Sequence, residues 1–79
     1  MATYTIRYAE RARAAKDCLS PRQKSSLEVL EKRLAGNPYG FGAQSNRDSS
    51  WSAFFTGGVI TYVVSNRYLI INVIDVTAV

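Results

Sequence analysis

The stretch Trp51 to Val76, WSAFFTGGVITYVVSNRYLIINVIDV, limits what this chain can fold into more than any other. It is rich in β-branched and aromatic residues and is cut at Gly57-Gly58 and again at Ser65-Asn66-Arg67, which predicts three strands joined by two tight turns. A Gly-Gly connection suits turns with positive φ, and Asn66 tolerates the same region, so the three strands read as an antiparallel meander. The last strand, Tyr68 to Val76, is apolar on both parities. One carries Leu69, Ile71 and Val73 before Asp75; the other carries Tyr68, Ile70, Ile74 and Val76, with Asn72 among them. A strand with one wet face alternates, so this one is predicted to be interior and covered on both sides.

The preceding residues supply the first layer of cover. Thr3 to Tyr8 alternates Tyr4, Ile6 and Tyr8 against Thr3, Thr5 and Arg7, the period of a half-buried strand. Ala9 to Cys18 favours helix, with Ala12 and Ala15 leading to Leu19 on a small-residue face, and Arg13 spaced to pair with Asp17. Ser20-Pro21-Arg22-Gln23 has the N-cap, first-turn proline and third-position Gln of a capping box, so a second helix starts there. Leu27, Leu30 and Leu34 line its apolar stripe, Gly36 is placed for a left-handed cap, and Asn37-Pro38 stops the helix. Tyr39 to Ser50 has no period and reads as a loop of about a dozen residues. The order strand, helix, helix, strand, strand, strand predicts one two-layer α+β domain over residues 1–79, a helical hairpin on a mainly antiparallel four-stranded sheet. The far face of that sheet, Ile70, Ile74 and Val76 or their neighbours of opposite parity, is then covered by a partner segment or by sheet curvature and the long loop.

Charge separates the two halves. Residues 1 to 38 hold eight Lys and Arg against four acids, and the remaining residues hold two of each, so the whole net charge of +4 lies in the first half. A basic half suggests a polyanion or an acidic protein as partner, with Arg7, Arg11, Arg13 and Lys16 as contacts. The longest apolar run is far short of the roughly 20 residues a bilayer needs, the first residues have no signal-type apolar stretch, and the expected location is the cytoplasm. One cysteine, Cys18, fits a reducing compartment, where it reads as a small buried residue at the end of the first helix.

The chain has no histidine, which removes His-containing zinc sites and Ser-His or Cys-His nucleophilic pairs. The five glycines have neither the spacing nor the following helix of a phosphate loop, and no close carboxylate pair suggests a metal. No cofactor is expected. Tyr4, Tyr8, Tyr39, Tyr62, Tyr68 and Trp51 are rings that can stack on bases beside basic groups, although strand tyrosines more often pack a core.

Several strings along the chain, Tyr4 to Leu19 (YTIRYAERARAAKDCL), Pro21 opening a helix, Leu34-x-x-Asn37-Pro38-Tyr39-Gly40 closing it, and the glycine turn followed by Val59-Ile60-Thr61-Tyr62, resemble the RelE/ParE superfamily, the toxins of bacterial type II toxin–antitoxin pairs. The resemblance spans essentially the whole chain. It implies a toxin that either cleaves mRNA in the ribosome without a metal or poisons DNA gyrase. It also implies neutralisation by a cognate antitoxin, commonly acidic, in a hetero-oligomer. The ribonuclease branch resembles an arginine where this chain has Val59 and a terminal His or Tyr where it has Thr77-Ala78-Val79. Proton transfer from an RNA 2′-hydroxyl needs a base, and the developing phosphorane charge needs a cation. Arg47 and Arg67 are the cations expected to meet phosphates, and Tyr62 or Asp75 stands in for the base. The rival is a degenerate, non-catalytic RelE-like fold that binds protein or RNA.

Overall fold

The computed structural model describes residues 3–40, 44–46 and 49–78. In chain order the elements are β1 (Thr5–Tyr8), α1 (Glu10–Asp17), α2 (Pro21–Gly36), β2 (Gln44–Ser45), β3 (Trp51–Phe55), β4 (Gly58–Ser65) and β5 (Ile70–Ala78). They form a five-stranded sheet in the order β1-β5-β4-β3-β2, with both helices on one face. The meander β3-β4-β5 is antiparallel as predicted, and β1 lies parallel to β5 with Thr5 opposite Ile70 and Tyr8 opposite Val73. The strand β5 is therefore interior to the sheet as expected, but the helices cover only one of its two faces. The fifth strand, β2, was hidden in the expected loop: Gln44 and Ser45 are polar, only two residues long, and pair with Ser52 and Trp51. No helix among the described residues is long and apolar enough to cross a membrane.

The core forms where the helices meet the inner sheet face. Leu27, Leu30 and Leu34 from α2, Ala12 from α1 and Leu19 from the link pack on Ala53, Phe55, Ile60, Tyr62, Ile71, Val73 and Val76. The small Ala12 side chain is fully buried, letting α1 lie close to β5. The capping box of α2 is complete, Gln23 N–H donating to Ser20 Oγ (3.2 Å) and Ser20 N–H to Gln23 Oε1 (2.9 Å). This motif stabilises a helix start by about 1 kcal/mol.

Local expectations fail where a neighbour overrides them. Gly36 ends α2 without a left-handed cap. Asn37 turns extended instead (φ −157°), the conformation a following proline imposes, and its N–H donates to Arg33 O (3.0 Å). The first hairpin turns at Thr56-Gly57, with Gly57 at φ +89°, while Gly58 belongs to β4. In the second hairpin the left-handed residue is Leu69 (φ 53°), not Asn66, and β5 begins at Ile70, not Tyr68. Ser65 pairs with Ile70 across a four-residue turn, and Leu69 O accepts from Thr5 N–H (2.8 Å), which holds that residue in place. Cys18 caps α1 and is exposed, because the helix stops at Asp17 and Leu19 takes the buried position.

A bulge reverses one expectation on β5. Thr61 pairs with Asp75 but Tyr62 with Val73, so Ile74 is an extra residue and the phase of β5 shifts after it. Ile71 and Val73 face the helices, and so does Val76, which is 5% exposed and part of the core. Val76 therefore does not belong to the outer face with Ile74. Strict alternation could not anticipate the shift.

Candidate functional site

The face of the sheet opposite the helices has no cover among the described residues. Cross-strand partners share a face, so its rows follow from the register. Phe54, Val59 and Thr77 form one row; Gln44, Ser52, Thr61 and Asp75 a second; Val63, Asn72 and Arg7 a third; Ser65, Ile70 and Thr5 a fourth. Ile74 joins them through the bulge. Phe54, Ile74 and Val63 are 61%, 41% and 37% exposed, while Ile70 is half-buried. Apolar and small polar groups share this surface with the charged Arg7 and Asp75.

The basic residues expected to act together are dispersed. Arg7 lies on the outer face, and Arg11 reaches Asp75 (3.9 Å) at its rim. Both partners of that pair are well exposed, and such pairs stabilise by only about 0–1 kcal/mol. Arg13 is exposed about 200° further round α1 than Arg11. Lys16 turns the other way: its Nζ donates to Glu31 Oε1 (2.9 Å) and lies 4.5 Å from the centre of the Tyr8 ring. Tyr8 donates to the same Glu31 oxygen (2.7 Å), so this triad ties β1, α1 and α2 together. Burial, then the hydrogen bond and charge of Glu31, raise the Tyr8 phenol far above its usual range.

Tyr62 is not available as a base. It is fully buried on the helix side of β4, and its hydroxyl donates to Pro38 O (2.6 Å). Burial first, and Tyr39 second, push its phenol up to about 12. The consequence for stability is measurable. Below pH 10 the phenol is protonated folded or unfolded; between pH 10 and 12 only the unfolded chain loses the proton, and stability falls. The loss attributable to Tyr62 is about 2–3 kcal/mol, so denaturant titrations of Tyr62→Phe should show a correspondingly smaller drop across that window. An unchanged drop would mean that the phenol titrates normally. At neutral pH the variant should lose about 1–3 kcal/mol, because Pro38 O is left without its donor.

Arg47 lies outside the described residues. Arg67 is exposed in the β4–β5 turn, at the end of the sheet where β5 starts, and its guanidinium is 5.5 Å from the centre of the Tyr68 ring. Tyr62, buried beneath the helices, and Arg67, exposed in the turn, are thus not brought together. The same end of the sheet gathers groups that no period revealed. Asn66 Oδ1 accepts from Tyr4 Oη (2.7 Å) and Tyr39 Oη (2.8 Å), and Tyr39 meets Trp51 edge to face at 4.9 Å between ring centres. Asn66 was legible only as a turn residue; its partners come from residues far away in sequence.

Comparison with solved structures decides the architecture. The chain matches a chain of the toxin–antitoxin complex RelBE2 from Mycobacterium tuberculosis over 100% of its length and 94% of that chain, with TM-score 0.88 and 19% identity. The architecture is RelE-like. A chain of the archaeal RelE–RelB complex from Pyrococcus horikoshii also matches, over 96% of this chain and 94% of that one, with TM-score 0.80 and 12% identity. No family model and no curated protein matches the sequence. At these identities the likeness is one of architecture. On this RelE-type frame the two departures seen in the sequence fall side by side: Val59 and Thr77 are direct cross-strand partners, with Phe54 next to Val59. Where the resemblance implies a cation and a proton-transfer group, this chain places a half-buried valine, a threonine and a phenylalanine.

Proposed function

We propose that this chain is the toxin of a type II toxin–antitoxin pair, neutralised by an acidic antitoxin laid over the outer face of the sheet. The supporting observation is a RelE-like fold, matched over nearly the whole chain with chains of the RelBE2 toxin–antitoxin complex and of a RelE–RelB complex, whose outer sheet face exposes Phe54, Val63 and Ile74. The positive net charge suits an acidic partner. The row Phe54–Val59–Thr77 carries neither a base nor a cation, which favours inhibition of DNA gyrase by binding over cleavage of mRNA. Under the mRNA-cleaving alternative Arg47 and Arg67 hold phosphates, and replacing both with Ala abolishes toxicity in a protein that still folds.

Induced expression should arrest growth, and co-expression of a neighbouring small acidic reading frame should relieve the arrest. Gyrase-linked DNA breaks without new mRNA ends are expected in arrested cells; new mRNA ends without such breaks would reassign the activity. Unimpaired growth with the folded chain present would remove the toxin reading and leave the non-catalytic binding module. Ile74→Asp should weaken the complex with the antitoxin by about tenfold or more in calorimetric titration, since an exposed apolar anchor becomes a charge facing an acidic partner.

A further inference from the structure

A cavity of about 380 Å³ opens between α2 and the end of β3, within the size range of small-molecule sites. Its floor is apolar and nearly closed to solvent, made by Leu30 from the helix and Phe55 from the strand. Its rim is also apolar but open, with Val29 51% and Phe54 61% exposed. The polar groups are of one kind: Ser26, Arg33 and Thr56 line the cavity, each carries a side-chain donor, and no residue lining it is acidic. Thr56 N–H donates to Ser26 Oγ (2.8 Å), which ties the turn after β3 to the helix and leaves the Ser26 hydroxyl proton to donate. Ser26, Val29 and Arg33 follow one another at three and four residues, so they share one flank of α2, and Arg22 continues that flank four residues before Ser26.

From this arrangement we propose that the cavity between α2 and β3 binds a small amphiphilic carboxylate, an aryl or short alkyl acid. Its apolar body lies between Val29, Leu30, Phe54 and Phe55, and its carboxylate meets Arg33, Ser26 and Thr56. A guanidinium presents a planar fork that matches the two oxygens of a carboxylate, and the hydroxyls supply donors for the remaining lone pairs. Such a ligand takes the exposed Val29 and Phe54 side chains out of water, on a floor that is already formed, so the core need not open to admit it. The recess holds one body of ligand size, whereas a bound helix or strand needs anchors at repeated spacing. The proposal stands apart from the toxin reading, because Ser26, Val29 and Arg33 lie on α2 and not on the outer sheet face.

The test titrates the full chain with 4-phenylbutyrate and, in parallel, with its neutral isostere 4-phenylbutyramide, and follows methyl resonances by NMR. The acid should shift the Val29 and Leu30 methyls saturably, with a midpoint of about 1 mM or below for a ligand of this size. The amide should bind about tenfold more weakly, since it lacks the charge-assisted hydrogen bonds. Arg33→Gln should remove most of that difference between acid and amide while leaving the amide unchanged, an outcome that a merely structural arginine would not produce. Val29→Glu places a carboxylate on the rim at an exposed helical position, so the variant should fold as before and no longer take up the acid. Equal binding of acid and amide, the same preference in folded Arg33→Gln, no saturable shift, or shifts centred on Val63 and Ile74 of the outer face would overturn the proposal. Tighter binding at the same methyls by a glutamate-rich peptide with one leucine, or by phosphatidylglycerol vesicles, would assign the cleft to a macromolecular surface and overturn it as well. None of these readouts depends on growth arrest, so its failure and that of the toxin reading are separable.

Discussion

Leu27→Ala should lower the unfolding free energy by about 2–5 kcal/mol, the range for truncating a fully buried leucine. Leu27 is 0% exposed and, with Leu30 and Leu34, forms the stripe by which α2 joins the core, against β3 and β1. Removing its branched end loses transfer energy and leaves a cavity, and fixed neighbours on the sheet prevent the helix from collapsing into it. A chain of 79 residues has a total stability of only about 4–12 kcal/mol, so this one change removes a large part of it. Urea titration should show a lower midpoint with an unchanged slope. A loss below about 1 kcal/mol would mean that α2 shifts freely on the sheet, contrary to a close-packed core.

Gly58→Ala should cost about 3 kcal/mol, although it adds a single carbon. A Cβ at Gly58 would meet the Phe55 ring and lie 2.7 Å from Thr77 O, a backbone atom of the interior strand. Phe55 cannot yield easily, being 9% exposed within the core, and Thr77 is held in the β4–β5 ladder. The strain arises from space, since Gly58 itself has an ordinary backbone. The neighbouring Gly57 is the opposite case. Its φ of +89° disfavours any side chain, and the added carbon would also lie 2.7 Å from Nε2 and 2.9 Å from Cγ of Gln23, a side chain that, unlike the Thr77 backbone, can swing aside, at the loss of its hydrogen bond to Gly57 O (3.0 Å). Gly57→Ala should therefore cost less than Gly58→Ala, and thermal melts of the two variants test that order. The reverse order would show that turn conformation, not the approach of Phe55 and Thr77, is what position 58 serves.

The two adjacent glycines show what the sequence could convey. Gly57-Gly58 marked the hairpin, but whether both were turn residues depended on Phe55 and Thr77, which only tertiary structure brings there. The same distinction runs through the fold. The two apolar parities of β5 required an interior position, and Ser20 with Gln23 required a helix start, because both follow from rules over a few residues. The extra residue at Ile74 follows from no such rule, and it decided that Val76 packs inside. The outer face was legible as a surface needing cover, through Ile70 and Ile74. The pairing of Val59 with Thr77, which places the two family departures together, needed the register. Asn66 looked like a left-handed turn residue because its own conformational preference is all a local reading contains. Its carbonyl oxygen is instead used by two tyrosines, and Leu69 adopts the strained conformation.

The parallel pairing of β1 with β5 has a consequence for how the protein comes into being. During translation the first strand emerges early but has no neighbour until residues 70–78 follow, and three inner-face residues, Ile71, Val73 and Val76, arrive with them. A nascent chain that stops short of β5 leaves β1 without a partner in the sheet and α1 without the strand it chiefly packs on. Whatever depends on the finished sheet therefore waits for the late strand, and a stalled or truncated product should be unfolded and prone to clump.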